Sequence, residues 1–499
     1  MNKQVKSKQR VTDLGEVFTA EREVKAMCDL AKTEIVRADS RILEPACGDG
    51  NFLAEILSRR LSAAKSRGNE TLRDELFLAA VGNIYGIDIM SDNCRACRKR
   101  LFEIWQNAYI SDGGKNSGTV AAAEKILSRN IICGNSLTYE CFEGEKPTIS
   151  FCEWDFRGGL LSFMHKHSYE NLAANEKFKF DVIIGNPPYH ENDGGNGASA
   201  KPIYHHFVNS AKKLNPDSLI MIIPARWYAG GKGLDKFRAE MLSDRRMTEL
   251  HDFVYASDCF SGVEIKGGVC YFLWKKNHSG TCKVVSHSGG KITSEMDRYL
   301  SDDGNGIFIR YNGAIPILRK IALLGEDTFD KTVSPRKPFG FASNFKDFRH
   351  EKSDTDSIKI YVRHDTGYIS KNQIKTNPDW IEKWKVYIPE AIGAGKMNID
   401  VVKPILGAPG TVCSETYVVA APTEIRAHAE NCAAYISTKF FHFLLGLKKI
   451  SQHTTSKTYS FVPVQDFSQK WTDEMLYKKY GLSEKEIEFI EKSVWNKNN

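Results

Sequence analysis

Two rhythms of apolar residues alternate along the first half of the chain. Short apolar runs at Arg41–Glu44, Ile84–Ile89, Ile131–Cys133, Asp181–Ile184, Leu219–Ile223, Leu250–Val254 and Val269–Trp274 predict seven strands. Between most of them the period lengthens to that of a helix. Val17–Lys32, Asn51–Arg67, 92–107, Tyr204–Leu214 and Leu234–Leu242 predict amphipathic helices. In Asn51–Arg67 the apolar face is Phe52, Leu53, Ile56, Leu57 and Leu61. Strands alternating with helices over this length imply an α/β fold, a doubly wound and mostly parallel seven-stranded sheet. Residues 1–14 read as a mobile arm and Ser111–Thr119 as a Gly/Ser/Asn-rich linker. After about residue 290 the rhythm fades into glycine, proline and aromatics, as in SPRKPFGFASNFKDF. This predicts two domains, 1–290 and 291–499, the second of mixed α+β structure ending in a helical tail from Asp473 to Val494. No internal repeat is visible.

Composition narrows the class without naming a function. With 499 residues, 41% hydrophobic and 26% charged, the chain reads as an ordinary globular protein of more than one unit. No apolar run approaches the ~20 residues that span a bilayer, so no membrane partner is expected. The opening MNKQVKSKQR is basic but has no apolar core behind it, unlike a secretory signal. The 12 cysteines are scattered, which fits a reducing cytoplasm better than a disulfide framework. Cys94 and Cys97 form a Cys-x-x-Cys with no second pair at zinc spacing, and no His-Glu-x-x-His occurs, so no metal is expected. His165, His167, His205 and His206 read as surface or packing residues. A net charge of +7 permits a polyanionic partner but does not establish one.

Two loops carry candidate chemistry. The first is ILEPACGDGNFL at 42–53, a strand running through a glycine-rich turn into a helix. Ligands of open parallel sheets bind at such turns. Glu44 and Asp49 stand where a phosphate-binding loop would place a lysine. An acidic loop suits a ligand with a sulfonium and an ammonium better than one with a pyrophosphate. The plainer reading is a tight strand–helix turn. Asp88, ending the strand YGIDI, can accept hydrogen bonds from ribose hydroxyls. It can also cap the helix that follows, and the two roles are compatible.

The second loop is FDVIIGNPPY at 180–189, a buried strand ending in Asn186, Pro187, Pro188 and Tyr189. The prolines fix the backbone and can aim carbonyl oxygens at a ligand. An amino group on an aromatic ring is a poor nucleophile, because its lone pair is delocalised. Two acceptors holding its hydrogens, the Asn186 side-chain oxygen and the Pro187 carbonyl, would favour its attack on a methyl donor. Tyr189 can stack on the ring. No Pro-Cys nucleophile appears. The plainer reading is a proline-rich turn with an exposed tyrosine. The following HENDGGNGASAK is polar and glycine-rich; it would order on a nucleic acid or be a plain surface loop.

Together these segments resemble the gamma-type N6-adenine DNA methyltransferases of bacterial restriction–modification systems, over about residues 12–275. The resemblance implies a Rossmann-like methyltransferase domain using S-adenosyl-L-methionine, with NPPY as its catalytic motif. It implies double-stranded DNA as partner, with the target adenine flipped out of the duplex. GEVFTAEREV resembles the segment leading into the cofactor loop, which implies that Phe18 and Thr19 line the cofactor site. EPACGDGNF implies cofactor roles for Glu44, Ala46, Gly48 and Phe52, and Asp88 matches the ribose-binding acid. CGNSL resembles the segment contacting the cofactor adenine, with Asn135 where many relatives carry Asp. Phe260, in CFSGVEIKGGVCYFL, resembles a residue that packs on the flipped base, and it reads equally as a core phenylalanine. Residues 291–499 resemble a target-recognition domain only loosely. Arg336, Lys337, Lys448, Lys449 and Lys457 could meet phosphates there, or be solvated charges. The implied location is the bacterial cytoplasm, at the nucleoid. A restriction endonuclease, where one exists, is expected as a separately encoded protein.

Three rivals remain. RNA and protein-glutamine N-methyltransferases share the NPPY chemistry, but protein-glutamine enzymes need no large region after residue 290, whereas a duplex reader does. A fused methylase–nuclease is disfavoured: 14 residues precede the first motif, and Pro378–Lys385, which resembles a metal-nuclease pattern, lacks a following acid-x-Lys. A non-catalytic DNA-binding scaffold would have lost one of the two loops.

Overall fold

The computed structural model describes residues 17, 19–67, 70–143, 147–157, 162–174, 177–191, 201–229, 231, 233–260, 265–301, 306–355, 357–390, 399–400, 403–448 and 455–495. The chain divides into two compact units, Met1–Phe308 and Ile309–Asn499. The first is built on one large sheet. Its strands are β1 (Ile42–Glu44), β2 (Ile84–Asp88), β3 (Ile131–Asn135), β4 (Glu140–Cys141), β7 (Val182–Gly185), β10 (Ser218–Pro224), β11 (Met247–Phe253), β12 (Val269–Lys275), β13 (Cys282–Ser288) and β14 (Lys291–Arg298). Two small hairpins stand apart from it: β5 (Ser150–Asp155) with β6 (Ser162–Ser168), and β8 (His190–Glu191) with β9 (Lys201–Pro202).

The sheet order is β14-β13-β11-β12-β10-β7-β1-β2-β3-β4. From β10 through β3 neighbouring strands are parallel, and β12 runs antiparallel between β10 and β11. All seven expected strands are therefore present and contiguous, but the described sheet has ten strands rather than seven. The additions are edge strands: β4 folds back on β3, and β13–β14 extend the far side. Gly289 and Gly290, with φ of 59° and 74°, close the β13–β14 hairpin as a two-residue turn. The boundary expected at residue 290 falls inside that turn. The first unit continues to Phe308, whose N–H donates to the Tyr228 carbonyl.

The central strands are apolar on both faces because both are covered. Ile42, Val182, Ile184, Ile220 and Ile222 face one core. Helices α1 (Glu21–Asp29), α2 (Lys32–Val36), α3 (Asn51–Ser66), α4 (Arg73–Gly82), α5 (Ser91–Ser111) and α6 (Ser117–Asn130) supply its other wall. Leu43, Ile183, Leu219, Met221 and Ile223 face the second core, against α7 (Tyr204–Lys213), α8 (Asp235–Ser243) and the aromatics Phe151, Tyr169, Phe178 and Phe180. The helix expected over 17–32 breaks at Ala31, whose φ of −129° leaves the helical region, and α2 then carries Ile35 into the core. The expected linker around Ser111–Thr119 shortens to 112–116, because Asn116 caps α6 by accepting from the Gly118 N–H.

The second unit holds two three-stranded sheets and five helices among its described residues. One sheet joins β15 (Ile358–Val362), β16 (Asp365–Ile369) and β20 (Thr411–Cys413); the other joins β17 (Trp384–Pro389), β19 (Ile405–Gly407) and β21 (Tyr417–Thr423). A short pair, β18 (Ile399–Asp400) and β22 (Val494–Trp495), completes the strands. Strict alternation in β15 buries Ile358, Ile360 and Val362 on one face. The buried Lys385 ammonium donates to the carbonyls of Trp380, Ile381 and Lys383 at 2.7, 3.0 and 2.7 Å, and burial pulls its pKa down to about 8. The expected C-terminal helix is two, Asp473–Lys479 and Glu484–Ser493. Gly481 at φ 58° ends the first, and a Ser483–Glu486 capping box starts the second.

Candidate active site

Strand β1 pairs with β2 on one side and β7 on the other, so successive connections leave it in opposite directions. The crevice at the carboxyl ends of such strands is where open α/β sheets bind ligands. Both chemistry-bearing loops sit there: 45–50 after β1 and 186–189 after β7. Asp88 and Asn135 end the neighbouring β2 and β3.

The loop after β1 is held by backbone geometry. Gly48 and Gly50 have φ of 53° and 85°. A Cβ on Gly50 would lie 2.6 Å from Cys97 Sγ. The Gly48 N–H donates to Asp88 Oδ2 at 2.9 Å, while Asp88 Oδ1 accepts from the Met90 N–H and the Asn93 amide at 2.9 and 3.1 Å. Asp88 thus ties the glycine loop to the start of α5. Asp88 accepts from the N–H of Met90, the residue just ahead of α5, but no side chain caps the helix at Met90 itself.

Glu44 is 2% exposed, and its Oε2 has no hydrogen-bond partner. Burial, with lesser electrostatic contributions from Cys97, Asp88 and Asp49, raises its pKa well above 4.5. It abuts β7: a Cβ on Gly185 would meet Glu44 Cγ at 3.3 Å. Thr19 Oγ1 is likewise buried without a hydrogen-bond partner, while Asp49 Oδ1 lies 3.7 Å from the Arg100 guanidinium. Glu44, Asp49 and Asp88 make the crevice acidic.

In the second loop, the Asn186 amide donates to the Val17 carbonyl at 2.8 Å, leaving Asn186 Oδ1 buried and unpartnered. Tyr189 is 7% exposed, and burial raises the pKa of its phenol well above the ordinary value, the neighbouring Asn186 side chain opposing slightly. The fully buried Phe260 ring meets Tyr189 edge-on, 6.3 Å between centroids at 78°. The Ile203 N–H donates to the Tyr189 carbonyl, so β8 and β9 return the chain to the loop.

The other expected residues are placed as follows. Ala46 is half-buried in the glycine loop, and Phe52 lies in the core beneath it. Asn135 Oδ1 is engaged by the N–H groups of Leu137 and Thr138 at 2.9 and 3.3 Å, forming a local turn. Phe18, Lys449 and residues 192–200 of the glycine-rich loop lie outside the described residues. Cys94 and Cys97 are buried in the core, and among the described residues no group of three or more His, Cys, Asp or Glu is arranged to hold a metal ion. His167 pairs with Glu153 across the β5–β6 hairpin at 3.0 Å. In the second unit Arg336 and Lys337 face Glu415, and Lys448 donates to Ser460, so these cations are paired; Lys457 is exposed. No helix among the described residues is long and apolar enough to cross a membrane.

Three contributors escaped the sequence reading. Asn51, at the start of α3, donates to the Thr19 carbonyl at 3.3 Å and accepts from Arg100 at 2.7 Å. Ser136 donates to the Pro45 carbonyl at 2.7 Å. Val17 acts through its backbone, which no side-chain pattern could reveal. Asn51 had a signal, a polar amide directly after the glycine turn.

The stretch from β2 to the Phe260 loop is where this chain resembles a known family. Residues 82–260 match the family described as Eco57I restriction-modification methylase. That methylase segment spans the acid of β2, the NPPY loop and Phe260. An "uncharacterized adenine-specific methylase" of Mycoplasma pneumoniae (strain ATCC 29342 / M129 / Subtype 1) is 41% identical over 125 residues, 24% of this chain. The match spans only 30% of that relative's length. Among solved structures, the Type IIL restriction-modification enzyme MmeI in complex with DNA aligns at 12% identity and TM-score 0.49, covering 91% of this chain and 69% of the other. The DrdV–DNA complex aligns at 12% identity and TM-score 0.48, covering 92% and 56%.

Proposed function

We propose that this protein is a site-specific DNA methyltransferase that moves a methyl group from S-adenosyl-L-methionine to N6 of a flipped-out adenine. The observation that carries this reading is Asn186 Oδ1, a buried acceptor with no donor, at the end of β7 beside Tyr189. A buried acceptor left unpaired is costly, and an exocyclic amino group supplies the missing donor. Asn186 Oδ1 and the Pro187 carbonyl would hold the two amino hydrogens, favouring lone-pair attack, and Tyr189 would stack on the base. The methylase match and the adenine-specific relative support the same reading.

The residues fit the cofactor. When bound, S-adenosyl-L-methionine supplies an electrophilic methyl group and carries a sulfonium and an ammonium. Glu44 and Thr19 offer unpartnered acceptors to such a cation, Gly48 and Gly50 bring bare backbone close, and Asp88 would meet the ribose hydroxyls at the end of β2. Phe18, Ala46, Phe52 and Asn135 are assigned to the walls of the same site. Phe260 supports Tyr189 from behind, edge-on to its ring. Residues 1–308 would then be the catalytic domain and 309–499 the target-recognition domain. Duplex DNA is the partner, in the bacterial cytoplasm.

Labelled methyl transfer tests the reading: incorporation into duplex DNA as N6-methyladenine supports it. Incorporation into RNA or into glutamine of total protein, with none in DNA, overturns it.

A further inference from the structure

The loop that carries Phe260 is fastened from two sides. It leaves β11, makes one 3-10 turn over Ala256–Asp258, and the Phe260 N–H closes it on the Ala256 carbonyl at 2.8 Å. From α1, Arg22 donates to the Asp258 carbonyl and also pairs with Glu23, whose side chain is 3% exposed. From the β13–β14 turn, the Gly289 N–H donates to Asp258 Oδ2 at 3.0 Å. Gly290 lies against Arg22 as well: a Cβ there would be 3.7 Å from Nη1.

The same short stretch, residues 17–22, reaches three loops. The Val17 carbonyl accepts from Asn186, the Thr19 carbonyl accepts from Asn51 at the cofactor loop, and Arg22 holds Asp258. Shifting this stretch would strain all three contacts together. The extra hairpin, which the seven-strand expectation lacked, supplies the second anchor.

We propose that Arg22 and Asp258 form a latch that positions the Phe260 loop for capture of the flipped base, joined through residues 17–22 to the cofactor loop. Both are positioning residues, acting through Phe260 and Tyr189; the assignment rests on the proposed base methylation. Asp258 is half-exposed, so replacing it leaves the core intact. Its carboxylate receives the Gly289 N–H and acts electrostatically on Arg22 and His287. Asn at this position keeps an acceptor oxygen, whereas Ala removes it.

The test uses full-length protein and a duplex bearing its own recognition sequence, with 2-aminopurine at the target position. Unstacking of the probe raises its fluorescence. Asp258→Ala and Arg22→Ala are expected to diminish this rise and increase KM for DNA about tenfold, as loss of one charge-assisted hydrogen bond predicts. Cofactor-free melting temperature should stay near wild type in Asp258→Ala, and Asp258→Asn should restore the fluorescence rise. A wild-type rise in both alanine variants, or an Asn variant as impaired as the Ala variant, overturns the latch. Failure of the underlying reading looks different: wild-type protein itself then raises no fluorescence and methylates no duplex, and the latch falls with it.

Discussion

Asn186 and Val17, far apart in sequence, are joined by one hydrogen bond, from the Asn186 amide to the Val17 carbonyl at 2.8 Å. The bond engages the amide nitrogen and leaves the buried oxygen without a donor. In the proposed reaction the residue would serve twice, as a donor to the Val17 carbonyl and as an acceptor for the amino group of the base.

Asn186→Ala should therefore cost at least about 10²–10³-fold in methyl transfer, the scale of losing one preorganised polar contact in a transition state. Cofactor affinity, measured by calorimetry, should change little. Asn186→Asp keeps the acceptor but sets an oxygen against the Val17 carbonyl, and should retain more activity than Ala. Equal loss of cofactor binding and turnover in Asn186→Ala would make the residue structural.

Asp88 spends both oxygens on the fold before any ligand arrives. Asp88→Ala should weaken cofactor binding about tenfold or more and also lower stability by about 1–3 kcal/mol. Asp88→Asn, which preserves an acceptor for Gly48 or Met90 but not both, should fall between. Unchanged cofactor affinity in the Ala variant would confine Asp88 to a structural role.

Gly50 combines a left-handed φ of 85° with a neighbour, Cys97 Sγ, 2.6 Å from where a Cβ would sit. Gly50→Ala should destabilise the first unit by about 1–3 kcal/mol and impair cofactor binding. A melting temperature and affinity equal to wild type would show that the turn tolerates a side chain.

Glu44 is a buried carboxyl whose folded-state pKa lies well above its ordinary 4.5. Its native state holds a proton that the unfolded chain releases at lower pH. Stability should fall as pH rises from about 4.5 toward that raised pKa, and Glu44→Gln should remove this slope. A cationic ligand favours the ionised form, so cofactor binding should release a proton and strengthen with pH over the same window. Proton release, measured by calorimetry in two buffers of different ionisation enthalpy, should vanish in Glu44→Gln; release persisting in the variant would place the titrating group elsewhere.

Much of this was legible in the residues. The seven core strands announced themselves because each is an apolar run buried on both faces, and the two loops because glycine and proline mark sharp backbone demands. The β13–β14 hairpin was overlooked because its strands are half polar, as edge strands are, although Gly289–Gly290 is a hairpin signal. Helix α6 was overlooked because its first residues, Ser117–Thr119, belong to the Gly/Ser/Asn-rich stretch that looks like linker. The contacts of Val17, Arg22 and Asp258 were not legible, since two are backbone acceptors and all three depend on which loops the sheet order brings together. In the second unit, pairing of Arg336 and Lys337 with Glu415 depends on tertiary structure, so charge along the chain overstated the free cations there.

Single-molecule sequencing of DNA from cells expressing this protein, with Asn186→Ala as control, tests the central claim most directly. The account predicts N6-methyladenine at one short sequence motif in the wild-type sample and none in the control. Unmodified adenine throughout the wild-type sample, from cells in which the folded protein accumulates and binds S-adenosyl-L-methionine, would contradict it.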